Sequence, residues 1–249
     1  MLKKRIIPIV LLDGFSVLKT IKFSTRRNLG SPITVMRTYN TRNIDEMIIL
    51  DIDASKQNRS VDKFIINDIT RDCFMPLTVG GGIKSLNDIE ALLKNGADKV
   101  SINTFALKNK NFIYEASREF GSQCIVVSLD ICKVDSEYYI FSNGKIIDDI
   151  FYLDLINQFT DLGAGELLIN DVENDGVMQG PDIKLAKTIS NISSIPIIFS
   201  GGVSSPEDVL PLTRDAKVDA VGISSIFHFT DFTPEDCRRK LREENIPAR

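Results

Sequence analysis

Two glycine-rich turns carry the clearest chemistry in the sequence, Gly80-Gly81-Gly82 and Ser200-Gly201-Gly202. Glycines placed between a strand and a helix let backbone N–H groups approach an anion closely, and the helix N-terminus adds a favourable dipole. Downstream of each turn a strand ends in polar side chains, Asn103-Thr104 in one case and Ser224-Ser225 in the other. One such turn is also what a tight structural connection needs. Two copies, Gly81, Gly82, Asn103 and Thr104 against Gly201, Gly202, Ser224 and Ser225, favour a pair of phosphate sites. A ligand with a phosphate at each end would suit them.

Such turns require strands before them and helices after them. Short β-branched runs recur at residues 5–11, 47–52, 76–79, 99–102, 124–129, 166–169, 196–199 and 220–223. Nearly continuous apolar character marks strands buried on both faces. Between the runs lie helical patterns. Residues 86–94 are predicted helical, with Ser85 as N-cap and Gly96 closing, as are residues 206–213, with Ser205 as N-cap and Pro206 first in the helix. Alternating strand and helix argues for an α/β fold with a parallel sheet, and eight such units in 249 residues fit a (βα)8 TIM barrel. Two long insertions, 12–30 and 133–148, each follow a strand and so belong on the catalytic face. The second reads as a hairpin, with 138–141 and 145–147 flanking Ser142-Asn143-Gly144.

The chain also repeats itself at a spacing of about 120 residues. Residues 79–85 match 199–205, 97–103 match 218–224, 125–130 overlay 6–11, and Asp51 falls opposite Asp171. This reads as a single domain, 1–249, built from two duplicated half-barrels at roughly 1–120 and 121–249.

Composition narrows the function classes. With 43% hydrophobic and 26% charged residues the chain is globular, and its net charge of −4 gives no general attraction to nucleic acid or anionic membrane. No apolar run is long enough to span a bilayer and the first residues lack signal-peptide features, so a cytoplasmic location is expected. Four cysteines without a CxxC pair and one histidine, His228, leave a zinc site short of ligands; neither metal nor cofactor is implied. A Ser-His-Asp triad would have to draw on His228.

Longer motifs then carry a resemblance. Lys4-Arg-Ile-Ile-Pro8, Leu50-Asp-Ile-Asp-Ala-Ser55, Leu77-Thr-Val-Gly-Gly-Gly-Ile83, residues 96–103, Phe120-Gly-Ser-Gln-Cys124 and Ser225-Ile-Phe-His228 resemble the cyclase subunit of imidazole glycerol phosphate synthase, the HisF family, along essentially the whole chain. The resemblance implies a barrel that receives ammonia from a HisH-like glutaminase partner and adds it to a bisphosphorylated ribosyl-aminoimidazole carboxamide. It implies an ammonia gate of alternating charges at Arg5, Glu46, Lys99 and Glu166, a partner contact at Asp98, and pocket residues Asp51, Asp175 and Gly176. A solvated rim would be the plainer account of the four charges. Lys19 matches a family lysine in a loop over the substrate, and Lys22, Arg26 and Arg27 make that loop basic enough to close on an anion.

The chain departs from the family at the residues that move protons. Family members use two strand-end aspartates as general acid and base. Asp130 matches the second, but Leu11 stands where the first should be, with Asp13 two residues further on as a substitute only if the backbone path changes. Residues 170–177 read Asn-Asp-Val-Glu-Asn-Asp-Gly-Val where the family favours Thr-Ser-Ile-Asp-Arg-Asp-Gly-Thr. The chain is similar to a HisF-like branch linked to surface polysaccharide formation, in which the barrel and its glutaminase supply ammonia to a sugar amidotransferase. The expectation is therefore an ammonia-delivering subunit with weakened cyclase chemistry. The alternatives are a fully active histidine-pathway cyclase or a non-catalytic ligand-binding regulator of the glutaminase.

Overall fold

The eight apolar runs close into a parallel barrel in the computed structural model, which describes residues 3–249 except Asn43 and Asp72. The barrel strands are β1 (Arg5–Leu12), β2 (Met47–Asp51), β3 (Leu77–Gly80), β4 (Lys99–Ile102), β5 (Ile125–Val134), β6 (Glu166–Asp171), β7 (Ile197–Ser200) and β8 (Ala220–Ile223). Each pairs in parallel with its neighbours, and β8 pairs with β1 to complete the ring. Helices alternate with the strands, so the architecture is the expected (βα)8 barrel. No helix among the described residues is long and apolar enough to cross a membrane.

Both faces of each strand are buried, but the two faces do different things. Ile6, Val10, Met47, Ile49, Leu77, Val79, Val100, Val127, Leu167 and Phe199 point outward into the core shared with the helices. The alternate positions Ile7, Ile9, Leu11, Ile48, Val126, Leu168, Ile198 and Ala220 form a separate cluster inside the barrel. Period-2 alternation therefore persists, hidden by the fact that both faces are apolar.

The helix Leu86–Lys94 begins as its sequence dictates. The Ser85 hydroxyl accepts from the Asp88 N–H at 3.2 Å while the Asp88 carboxylate accepts from the Ser85 N–H at 3.0 Å. The second expected helix, 206–213, is not regular. A 3-10 turn at Pro206–Asp208 runs into a wider π-type turn at Pro211–Asp215. Pro211 has no N–H to donate, and its ring disfavours the ordinary i to i−4 ladder.

Both long insertions are antiparallel hairpins on the carboxyl ends of the strands. The first joins Val17–Ile21 to Thr25–Gly30, turning through Lys22 and Phe23 at φ of 49° and 57°. The second joins Glu137–Ser142 to Lys145–Ile147 through Asn143 and Gly144, whose positive φ values suit the tight turn that Asn-Gly favours. The first insertion, expected as a loop, is thus an ordered ribbon.

Candidate active site

The barrel mouth is a pocket lined by strand ends and by both hairpins. Asp130, at the end of β5, is its central titratable group. The Asn103 side-chain amide donates to one carboxylate oxygen at 2.9 Å and that of Asn170 to the other at 2.8 Å. Burial raises the Asp130 pKa to about 6, against the lowering effect of the two amides, with Asp175 adding to the rise. At neutral pH the carboxylate predominates and the acid form is still accessible, which suits proton transfer in either direction. Across the mouth, on β1, stands Leu11, 9% exposed and with no group to titrate.

Asp13 does not join this pocket. Its carboxylate accepts from the Phe15 and Ser16 N–H groups at 3.1 and 2.8 Å, fastening its own loop, and it is absent from the pocket wall. The altered backbone path that the substitute role needed is not seen in this loop.

Lys19 does reach the mouth, but paired. Its ammonium lies 2.9 Å from Asp175, the Thr20 hydroxyl donates to the same carboxylate at 2.6 Å, and Lys19 is buried. Gly176 packs against the Thr20 carbonyl rather than facing the pocket, and a side chain there would push the ribbon away. The ribbon's Phe23 meets Phe141 of the second hairpin edge to face at 6.2 Å, so the two insertions touch above the cavity. Arg26 grips Asp53 through two contacts of 2.6 Å. His228 lies behind Lys19. Burial, with the Lys19 and Arg42 charges, lowers its pKa to about 4, so it stays neutral at physiological pH and is not poised to exchange protons there.

The two glycine turns are built alike. A Cβ on Gly81 would lie 2.6 Å from the Asp51 carbonyl oxygen and 2.8 Å from its Cβ; a Cβ on Gly201 would lie 2.7 and 2.9 Å from the same atoms of Asp171. Only glycine permits that approach at φ of 129° and 123°. Gly81, Gly82, Asn103, Thr104, Gly201 and Ser224 line the pocket, whereas Gly202 and Ser225 sit behind it. The Ser224 hydroxyl and the Asn103 side-chain oxygen are buried without a hydrogen-bond partner among the described residues, the condition expected of groups that await a polar ligand.

At the opposite end Arg5, Glu46, Lys99 and Glu166, the charges expected to make a gate, form a closed ring. Arg5 reaches Glu46 at 2.9 Å and Glu166 at 2.7 Å, and Lys99 reaches the same two carboxylates at 2.9 and 2.8 Å. Glu46 is almost wholly buried, so these groups are not a solvated rim. Between ring and mouth the interior, among the described residues, is apolar except for Thr78, Ser101 and Ser128. The Thr78 and Ser101 hydroxyls have no partner among the described residues. Asp98 lies outside the ring, exposed, and its carboxylate accepts from the Leu77 N–H at 2.8 Å. It shares a shallow depression with Phe74, which is 91% exposed.

Sequence reasoning missed Asn170 as a partner of Asp130, Arg59 as the cation of Asp51 at 2.6 Å, and the unpaired interior hydroxyls. Asn170 follows from strand parity and register, since it lies directly beside Asp130 on the neighbouring strand. Arg59 carries no comparable signal, because a loop folds it back.

The family described as Histidine biosynthesis protein matches residues 5–233. A Campylobacter jejuni protein whose name assigns it as hisF2, an imidazole glycerol phosphate synthase subunit, is 43% identical over 249 residues, covering 100% of this chain and 99% of its own. The imidazole glycerol phosphate synthase subunit HisF of an Exiguobacterium species is 40% identical over 250 residues, covering 100% of this chain and 97% of its own.

Proposed function

The chain belongs to the histidine biosynthesis protein family, among the HisF-type subunits of imidazole glycerol phosphate synthase, and on that premise we propose that it works as the ammonia-receiving half of a glutamine amidotransferase. A HisH-like glutaminase docks on the end of the barrel that carries Asp98 and Phe74. Ammonia enters through the ring of Arg5, Glu46, Lys99 and Glu166, and passes Thr78 and Ser101 to the mouth. The closed charge ring, leading to a bore with unpaired hydroxyls, is the observation that carries this reading. Unpaired hydroxyls offer a small polar molecule hydrogen bonds along an otherwise apolar path.

At the mouth the chain holds a phosphorylated ligand of the ribosyl-aminoimidazole type, with Asp130 as its proton-transfer group. Cyclisation needs a second such group, which family members supply from β1. Here Leu11 occupies that position, Asp13 faces its own loop, and Lys19 is already bound to Asp175. The chemistry of the mouth is therefore reduced. Delivery of ammonia, including to a separate sugar amidotransferase, becomes the principal role.

With ammonium salts as the nitrogen source, turnover of the bisphosphorylated aminoimidazole precursor should be at least about a hundredfold below that of a HisF carrying both aspartates, the usual worth of a general acid or base. A normal rate would overturn the reduced-cyclase reading. Docking has its own test. Phe74→Ala should weaken the complex with the HisH-like glutaminase by about tenfold or more, as removal of an exposed aromatic anchor does, measured by titration calorimetry. Unchanged affinity would move the interface elsewhere.

A further inference from the structure

The side-chain amide of Asn170 is forked. Its nitrogen donates to the Asp130 carboxylate at 2.8 Å and to the Ser128 hydroxyl oxygen at 3.1 Å. Strand parity makes the fork possible. Ser128 and Asp130 stand two residues apart on β5 and both line the mouth, while Asn170 on β6 is the register partner of Asp130. From there one planar group with two hydrogens spans both acceptors. The amide can sit only one way round, because a carboxylate accepts and must therefore meet nitrogen.

The neighbouring groups show how particular this arrangement is. Asn103 holds the other carboxylate oxygen from the end of β4 at 2.9 Å, but its own side-chain oxygen is buried without a partner among the described residues. Asn170 is thus the fixed arm on Asp130 and Asn103 the arm with an open end. Ser128 differs in the same way from the other interior hydroxyls. Thr78 and Ser101 have no partner among the described residues, whereas Ser128 is engaged by Asn170. Its hydroxyl is tied to the proton-transfer group rather than left open along the bore.

We propose that Asn170 is a positioning residue for Asp130: anchored on Ser128, its amide fixes the plane of the carboxylate and keeps it charged at neutral pH. This rests on the reading of Asp130 as the proton-transfer group of the mouth. Fixed donors on a carboxylate favour its ionised form and limit how far it turns. They have opposition to meet. Burial drives Asp130 toward its neutral form, and Asp175, from the loop after β6, pushes the same way. The other charged groups at the mouth are Lys19, already on Asp175, and Arg26, Asp51, Lys56 and Asp171. The facing strands β1, β7 and β8 bring Leu11, Ser200 and Ser224 to the mouth, none of them charged. The two amides are therefore what favours the ionised form.

Carbon-13 NMR titration of the aspartate carboxyls in the full-length chain reads this without any ligand, with Asp130→Asn identifying the signal. The native Asp130 should titrate near pH 6. Asn170→Leu removes the donor at similar size, and Asp130 should then titrate about one pH unit higher, the effect of one hydrogen bond to a charged group. Should that variant fail to fold, Asn170→Ala removes the same donor without adding bulk and should give the same rise. Ser128→Ala keeps the donor but loses its anchor, so the rise should have the same direction and a smaller size. A titration unmoved by loss of the Asn170 amide would overturn the proposal. One unmoved in Ser128→Ala would overturn the anchoring of that amide. The titration is independent of the cyclase assay, so its failure leaves the ammonia-receiving role standing, and failure of that role leaves the titration as it is.

Discussion

Leu11→Asp should raise ammonia-dependent cyclase turnover by about a hundredfold, the range that one positioned acid or base supplies. The geometry supports this size. Residue 11 points into the mouth from β1, Asp130 from β5, and the closed eight-strand order sets those strands opposite each other. A ligand between them would meet one carboxyl on each face. The substitution carries a cost, because Leu11 belongs to an apolar cluster with Ile9, Leu18 and Leu50. Placing a carboxyl there should lower stability by about 2 kcal/mol, measured by urea unfolding, since its open side still faces the pocket. Steady-state kinetics with ammonium salts would show the gain in kcat, with KM little changed because no phosphate contact is altered. A variant that folds, binds the substrate and gains nothing would show that more than one acid is missing.

Glu46→Ala should destabilise the barrel by about 3–5 kcal/mol, because it strands Arg5 and Lys99 on a single shared carboxylate. At this chain length that lowers Tm by roughly 10 °C. The measurement is thermal or urea unfolding at neutral pH, and a loss below 1 kcal/mol would mean that the ring is solvated after all. The same ring should make stability fall in acid. Burial raises the Glu166 pKa, but the Arg5 and Lys99 charges and their hydrogen bonds outweigh it and leave the group below its ordinary 4.5. A depressed carboxyl contributes stability above its unfolded-state value and loses it as pH falls through the folded-state one. The acid limb should therefore lie below about pH 4.5.

How much of this was written in the chain varies with the range of the interaction. Strand positions were legible because each is a local apolar run, and β4 and β8 begin and end where their runs do. The helix Leu86–Lys94 was legible from its capping residues. Residues 206–213 misled, because Pro206 at a helix start is a stronger signal than Pro211 within it. In the mouth, Asp130, Asn103, Gly81, Gly82 and Gly201 fell where strand ends placed them, while Gly202 and Gly176 lie off the pocket wall. Asp13 turned into its own loop, and Lys19 reached the mouth already paired with Asp175, since both outcomes depend on how a ribbon turns and which carboxylate it finds, and neither is local. Arg59 was invisible for the same reason. Its charge matters only because it returns to Asp51, and nothing in neighbouring residues announces the return.

The strict alternation of the barrel strands has an evolutionary consequence. Residues that hold the helices and residues that line the bore occupy opposite parities of the same strands, so either set can drift without disturbing the other. Side chains that line the bore can therefore change while the shell that holds the helices stays intact. Novelty here costs no architecture.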